Sequence, residues 1–403
     1  MSDFSLWLIF AGLLAFGSCG DIEQKPPKTS PSLKISPSNA DFAFKFYHQL
    51  ASEAANKNII FSPVSISFAF ALLSLGAKGN TLSQLLTGLS FNPKEITEQE
   101  IHNGFRHLLL ALNRTQAELE LNIGNALFTH NEFKLLQKFL KDPKHFYQSE
   151  ILPTNFKKLK EAEQQINNYI EKKTNGKLKD VAKNLDPSVV LVIVNYVFLK
   201  AYWEKPFNYQ LTQEDDFFVD EQTTVKVPMM NRDSFFNAYY DKDLGCQVVC
   251  LPYKGDASAL FILPDPGKLK QVEDALGKKV LLKWEKSLRP QKIHLTLPKF
   301  SLDGSYDVEK SLRKLGITDV FTDHADLSGI SGAPNLKVSK AIHNTYLNVN
   351  ENGTEAAAVT VIEVGPTSVS ELIKYDRPFI FLIFHELNKS ILFMGRLKNP
   401  NKK

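Results

Sequence analysis

Residues 189–199 read VVLVIVNYVFL, an apolar run broken by one amide, Asn195. A continuous run of this kind is the pattern of a fully buried strand, which needs packing partners on both faces. An amide inside it must find hydrogen-bond partners or cost about 1–3 kcal/mol. Ser62, Ser65 and His343 each lie in or beside a hydrophobic segment and are the candidate partners. The alternative is that each of these polar groups is satisfied by its own nearby backbone.

The segments around this strand define the fold class. The amino-terminal third is mainly helical. NADFAFKFYHQLASEAANKN places Phe42, Phe46, Leu50 and Ala54 on one face. FSPVSISFAFALLSLGAKGN opens with a Ser62 cap and Pro63 and is apolar all round, so it is expected as a helix inside the core. EAEQQINNYIEKKTNGK is amphipathic and stops at Asn175-Gly176. From Leu191 onward the pattern turns to strands: LVIVNYVFLKAYW, TTVKVPMM, CQVVCLPY, ALFILPD, KIHLTLPKFSL and IKYDRPFIFLIFHELNKSILFMGRL. One helix, DVEKSLRKLGI, interrupts them. Helices first and antiparallel strands later predict a large α+β domain. With no linker or repeat in view, residues 37–403 read as a single domain.

The first twenty residues have an apolar core from Phe4 to Phe16 followed by small residues, the pattern of a secretory signal peptide cut near Cys19 or Gly20. Asp3 and the lack of a basic residue are atypical of one. A lipoprotein anchor at Cys19 is the weaker rival. Residues 21–36, polar and proline-rich, are expected to form a flexible tail. VVLVIV and FIFLIF are too short to cross a bilayer. A net charge of +4 does not argue for nucleic acid. The lysines of residues 156–183 alternate with acids, which fits a solvated helix face better than a site for a sulfated polysaccharide. Cys246 and Cys250 are four strand residues apart, about 13 Å, so no disulfide is expected between them.

No nucleophile–base arrangement, metal-ligand cluster, phosphate loop or dinucleotide fingerprint is present. Ser-x-x-Lys occurs at Ser311–Lys314 within a charged helix, as expected by chance. No cofactor and no metal are expected. One segment is unusual: ENGTEAAAVTVIEVGPTSVSE, residues 351–371. It opens on an Asn-Gly turn signal, yet Val359, Thr360, Val361, Ile362 and Val364 are strong strand formers.

NIIFSPVSISFAFALLSLGAKGNT resembles the early signature of the serpins, and IKYDRPFIFLIF resembles their carboxy-terminal one. VNYVFLKAYWEKPF, VKVPMM, LTLPKF and NENGTEAAAVT match serpin segments in the same order, and the agreement extends over residues 39–400. FILPDPGKLKQVE and ADLSGIS resemble the α1-antitrypsin-like secreted branch. The resemblance implies three β-sheets, about nine α-helices and an exposed reactive-centre loop at about 351–371. It implies a polar shutter under the main sheet at Ser62, Ser65, Asn195 and His343. A breach at its top follows at Trp203, Lys299 and Glu351, with a hinge at Gly353, Thr354, Ala356, Ala357 and Ala358. The spacing to DRPF, matched to the family, puts the bait bond at Thr367-Ser368, with a shift to the bond after Val364 as the alternative.

The mechanism implied is suicide acylation of a target serine protease, covalently trapped when the cut loop inserts as a new strand of the main sheet. Loop insertion by serpins is itself a standard example of strand addition. Small residues without charge or proline suit a segment that must slide between strands. Thr367 suits a shallow, elastase-like specificity pocket rather than a trypsin-like one. Three Asn-x-Ser/Thr acceptors occur, at Asn113, Asn352 and Asn388. A glycan on Asn352, in the hinge, is expected to slow insertion. That residue, Val359 and Thr367 motivate the alternative, a non-inhibitory member carrying a small hydrophobic ligand or serving as a tissue-specific binding protein. The chain is expected to be secreted, extracellular and monomeric, with neither nucleic acid nor membrane as a partner.

Overall fold

The computed structural model describes residues 30–113, 119–333, 336–354 and 370–402. Ten α-helices occur among them: α1 Pro31–Glu53, α2 Pro63–Ser74, α3 Gly79–Gly88, α4 Glu98–Leu112, α5 Gln137–Tyr147, α6 Leu159–Lys173, α7 Leu269–Ala275, α8 Lys278–Ser287, α9 Glu309–Lys314 and α10 Ser328–Ser331. The strands are β1 Ile59–Phe61, β2 Leu119–His130, β3 Glu150–Thr154, β4 Leu191–Tyr202, β5 Gln213–Phe218, β6 Thr224–Asp241, β7 Cys246–Pro252, β8 Ala257–Pro264, β9 Arg289–Pro298, β10 Phe300–Asp307, β11 Lys340–Asn350, β12 Gly353–Thr354, β13 Glu371–Lys374, β14 Phe379–His385 and β15 Ile391–Leu397.

The run that opened the sequence becomes β4, and it lies inside a six-stranded sheet ordered β10-β11-β12-β4-β2-β3. It pairs antiparallel with β2 on one side and parallel with β11 on the other. The remaining strands form one hydrogen-bonded sheet, β1-β15-β14-β8-β7-β6-β9-β13, with β5 also on β6. The three sheets implied by the resemblance are therefore joined into two. The cause is β6, 18 residues long, which pairs with β5 through Thr224–Met229, with β9 through Met229–Ala238 and with β7 through Asn237–Asp241.

Helix α2 explains why its sequence has no polar face. It packs against β4 and β2 of the first sheet and β15 of the second, and all twelve of its residues are buried. Ser62 caps it, its side chain accepting from the Ser65 N–H at 3.3 Å. Helix α6 ends where expected, with Asn175 and Gly176 at φ 50° and 76°. The cover on the far face of β4 comes from Ala162, Ile166 and Ile170 of α6, packed with Val192 and Val194.

The expected tail is shorter than residues 21–36. Helix α1 starts at Pro31, and Ile35 is fully buried, its side chain filling the space above Gly104 of α4. The Ser36 hydroxyl donates to the Asn388 and Ser32 carbonyls. Burial of Ile35, together with the bonded and buried Ser36, carries this helix about one and a half turns into the polar start. Residues 21–29 lie outside the described residues. Cys246, buried on β7, is a free thiol that burial pushes up to about 12.

Candidate functional site

The seam between β4 and β11 is where the candidate residues gather. Its register pairs His343 with Asn195, and on the other side of β4 the register pairs Asn195 with Asn125 of β2. Three neighbouring strands thus present Asn125, Asn195 and His343 in one row across the sheet. The amino end of α2 lies against this row. The Asn195 amide donates to the Ser65 carbonyl at 3.0 Å and to Asn125 Oδ1 at 2.6 Å. Its Oδ1 accepts from the Ser65 hydroxyl at 2.7 Å and from His343 Nδ1. The other imidazole nitrogen, Nε2, accepts the Ser62 backbone N–H at 3.0 Å. That bond defines the tautomer: the ring proton is on Nδ1, and the imidazole is neutral. Burial with no nearby acid pushes His343 down to about 3.

All four residues expected to meet here do so, with one difference. Ser62 contributes its backbone N–H, because its hydroxyl is used as the helix cap. Asn125 was missed, although LNIGNALF carries the same signal as the Asn195 run, an amide inside an apolar strand.

At the carboxyl end of β4 the seam is already parted. Chain leaving β11 turns at Glu351 and Asn352 and re-enters as β12, which pairs with Val349 and Asn350 of β11 on one side and with Ala201 and Tyr202 of β4 on the other. Gly353 makes this approach possible. Its φ is +138°, and a Cβ there would lie 2.1 Å from the Ala201 carbonyl oxygen. Thr354 is fully buried, its hydroxyl 3.0 Å from that of Tyr253. Tyr253 in turn stacks on Trp203 with ring centroids 4.2 Å apart and planes 10° apart. The Trp203 indole N–H donates to the Asn350 carbonyl at 3.0 Å, and its backbone N–H to that of Asn352 at 2.7 Å.

Glu351 is held at the turn by Lys299 at 3.0 Å and by the Thr212 hydroxyl at 2.9 Å. Burial works to raise its carboxyl. Its own backbone N–H, Lys299 and Thr212 outweigh that and leave it below the usual carboxylate range. Tyr253 and Thr212 had no distinguishing mark in the sequence; they reach the hinge from loops far along the chain. Ala356, Ala357, Ala358, Thr367 and Ser368 lie outside the described residues. Chain returns at Ser370, whose hydroxyl donates to Asp233 of β6 at 2.9 Å.

The acceptor asparagines differ in setting. Asn113, after α4, is exposed, and Asn352 is half-buried in the turn. Asn388 does not fit a glycan in the folded chain: it is 3% exposed, with its amide nitrogen enclosed beneath the start of α1. It reads as a hairpin-tip residue only until α1 is placed over it. In the lysine-rich stretch, Lys157, Lys158, Lys173 and Lys179 pair with Glu132, Glu161, Glu150 and Glu171. Among the described residues no group of acids, histidines and cysteines could hold a metal, and no helix is long and apolar enough to cross a membrane.

The site is thus a parted seam between β4 and β11 above a buried polar row, with the chain after β11 turned back into the sheet. The family model described as Serpin (serine protease inhibitor) matches residues 37–400. The chain belongs to the serpin family, whose members of this kind are protease inhibitors and not enzymes. Within it the chain is α1-antitrypsin-like. It is 49% identical over 370 residues to alpha-1-antiproteinase 2 of Equus caballus, covering 92% of this chain and 88% of that protein. A structure of human thyroxine-binding globulin matches at 41% identity and a TM-score of 0.89, covering 92% of this chain and 100% of that one. Human glycosylated kallistatin matches at 44% and 0.88, covering 93% and 100%.

Proposed function

We propose that this chain is a secreted, extracellular inhibitor that acylates and traps a serine protease of small-pocket, elastase-like specificity, with Thr367-Ser368 as the bait bond. The observation that carries the reading is β12, a strand started between β4 and β11. Those two strands pair in parallel, the slightly weaker ladder, so the seam is the natural line of parting. Extension of the β12 register would set Ala356 between Leu347 and Leu199, Ala358 between Thr345 and Val197, and Thr360 between His343 and Asn195. Insertion then replaces the His343–Asn195 bond and the parallel ladder with two antiparallel ones.

Asn352 occupies the turn, which keeps its place as the register extends. A glycan there stays outside the sheet, so this reading departs from the expectation that it slows insertion. The acylation step is the protease's own: its serine oxygen bonds to the Thr367 carbonyl carbon, and the amine of Ser368 leaves with a proton. Incubation with elastase-like, chymotrypsin-like and trypsin-like proteases tests the proposal. An SDS-stable complex with cleavage after Thr367 is the expected result; cleavage of the loop with the protease left fully active refutes it.

The second reading, a carrier of a small hydrophobic ligand, draws its support from the likeness to thyroxine-binding globulin. Fluorescence titration with thyroxine separates the two: saturable binding together with loss of the trapped complex favours the carrier.

A further inference from the structure

The last residue of β2 and the loop after it build a cleft that neither the shutter nor the hinge uses. Its volume is about 530 Å³, within the range of about 300–1,000 Å³ typical of small-molecule sites. It lies at the amino end of β4, opposite the end that holds β12, since the antiparallel register sets Thr129 of β2 against Leu191 of β4. Three loops frame it, and hydrogen bonds tie them to one another and to the sheet. The His130 N–H donates to the Val190 carbonyl at 2.9 Å, and the Leu136 N–H to the Ile330 carbonyl at 2.8 Å. The Val190 N–H donates to the Ser339 hydroxyl at 3.0 Å. The walls are therefore fixed by the fold itself.

His130 is the polar centre of this cleft. Its ring is 9% exposed and packs with Phe133 and Phe156, at centroid distances of 6.4 and 6.2 Å. Nδ1 accepts the Glu132 N–H at 3.2 Å, so the neutral ring carries its proton on Nε2. That Nε2–H has no acceptor among the described residues, and His130 lines the cleft. Buried donors in folded proteins are normally paired, and the cleft is where an acceptor can reach this one.

The charge around the cleft favours an anion. Lys134 and Lys157 line it together with one acid, Glu132. Lys157 and Glu132 pair with each other at 2.6 Å, which leaves the Lys134 ammonium without an acid partner among the described residues. Phe133, Pro187, Val189 and Ala333 supply apolar wall. An open donor, an uncompensated cation and apolar surface together match a carboxylate on an apolar body. A cation or a bare hydrocarbon would leave the His130 Nε2–H unmet.

We propose that this cleft binds a small aromatic carboxylate. Its oxygens accept from His130 Nε2–H and pair with Lys134, while its ring lies against the apolar wall. The site stands apart from the bait bond and from protease trapping, and its test measures neither.

Isothermal titration calorimetry with cinnamate is that test, with cinnamyl alcohol as the neutral counterpart of the same shape. One saturable site is expected for the carboxylate, with the alcohol at least tenfold weaker. His130→Phe removes the donor and keeps an aromatic ring; it should raise Kd about tenfold, the size of one charge-assisted hydrogen bond. Lys134→Gln, at an exposed position, should raise Kd about threefold or more. Thermal melts without cinnamate check the folding of both variants, and Lys134→Gln decides alone if His130→Phe does not fold. Lack of saturable binding at millimolar cinnamate overturns the site. So does equal affinity for acid and alcohol, or a Kd unchanged in a folded variant, which would put the anion elsewhere on the chain.

Discussion

Replacing Asn195 with leucine removes the centre of the polar row while keeping the branched shape of the side chain. The amide serves four close partners, the Ser65 carbonyl and hydroxyl, Asn125 Oδ1 and His343 Nδ1, and reaches the Gly124 carbonyl at 3.5 Å. The Ser65 hydroxyl can turn toward another acceptor. His343 Nδ1–H cannot, because Nε2 is committed to the Ser62 N–H, and Asn125 Oδ1 has no other donor bond among the described residues. Two buried groups are left unpaired, at about 1–3 kcal/mol each, a loss of about 2–6 kcal/mol. An unfolding entropy of about 2.1 cal/mol/K per residue over roughly 370 residues converts this to a fall in Tm of about 3–8 °C. Scanning calorimetry at one fixed scan rate measures it. Removing Asn125 in the same chain should cost little more, since one stranded acceptor disappears, so the double variant Asn125→Leu/Asn195→Leu should be less destabilised than the sum of the singles by at least about 1 kcal/mol. A Tm within 1 °C of the native value, or strict additivity, would refute the account of the row as one coupled network.

Acid should destabilise the chain well before its carboxylates titrate. Burial holds His343 down to about 3 and His385 to about 4, against an ordinary value of 6.5. The unfolded chain therefore takes up protons that the native state refuses: stability is full above pH 6.5 and falls as pH drops below it, by about 1.4 kcal/mol per pH unit for each histidine near pH 5.5. Urea midpoints between pH 7.5 and 5 should show this slope, and His343→Gln should remove one histidine's share; an unaltered slope rejects the assignment. Gly353→Ala should expel β12, since its Cβ meets the Ala201 carbonyl. The rise in melting temperature that follows loop cleavage in the native chain should then shrink, and an undiminished rise would show that the hinge enters by another route. Glycopeptide mass spectrometry should find Asn388 bare, and Asn352→Gln should trap protease at the native stoichiometry; improved trapping by that variant would restore the idea of a glycan brake.

Much of the architecture was legible along the chain because it is written in local periodicity. The all-round apolar character of α2 foretold its burial, and the Asn175-Gly176 stop of α6 fell where the turn chemistry put it. The start of α1 was not legible, because one buried isoleucine outweighs Ser32, Lys34 and Ser36 only after α4 is in place to receive it. The same helix hides Asn388, which looks like an open hairpin tip in sequence. Asn125 was readable by the rule that exposed Asn195, and it was missed in a strand whose neighbours gave a weaker pattern.

The residues alone determined that a buried strand would carry an unpaired amide, and that a later segment would combine turn chemistry with strand propensity. Both are properties of a few consecutive side chains. Which partners the amide takes, and where that later segment enters, were decided only in three dimensions. Register across β2, β4 and β11 aligns residues from 125 to 343, and the meeting of Tyr253, Trp203 and Thr354 closes around a glycine with no room for a side chain. Hydrogen bonds and steric contacts act over a few ångströms of space, and the fold alone decides which distant parts of a chain come that near.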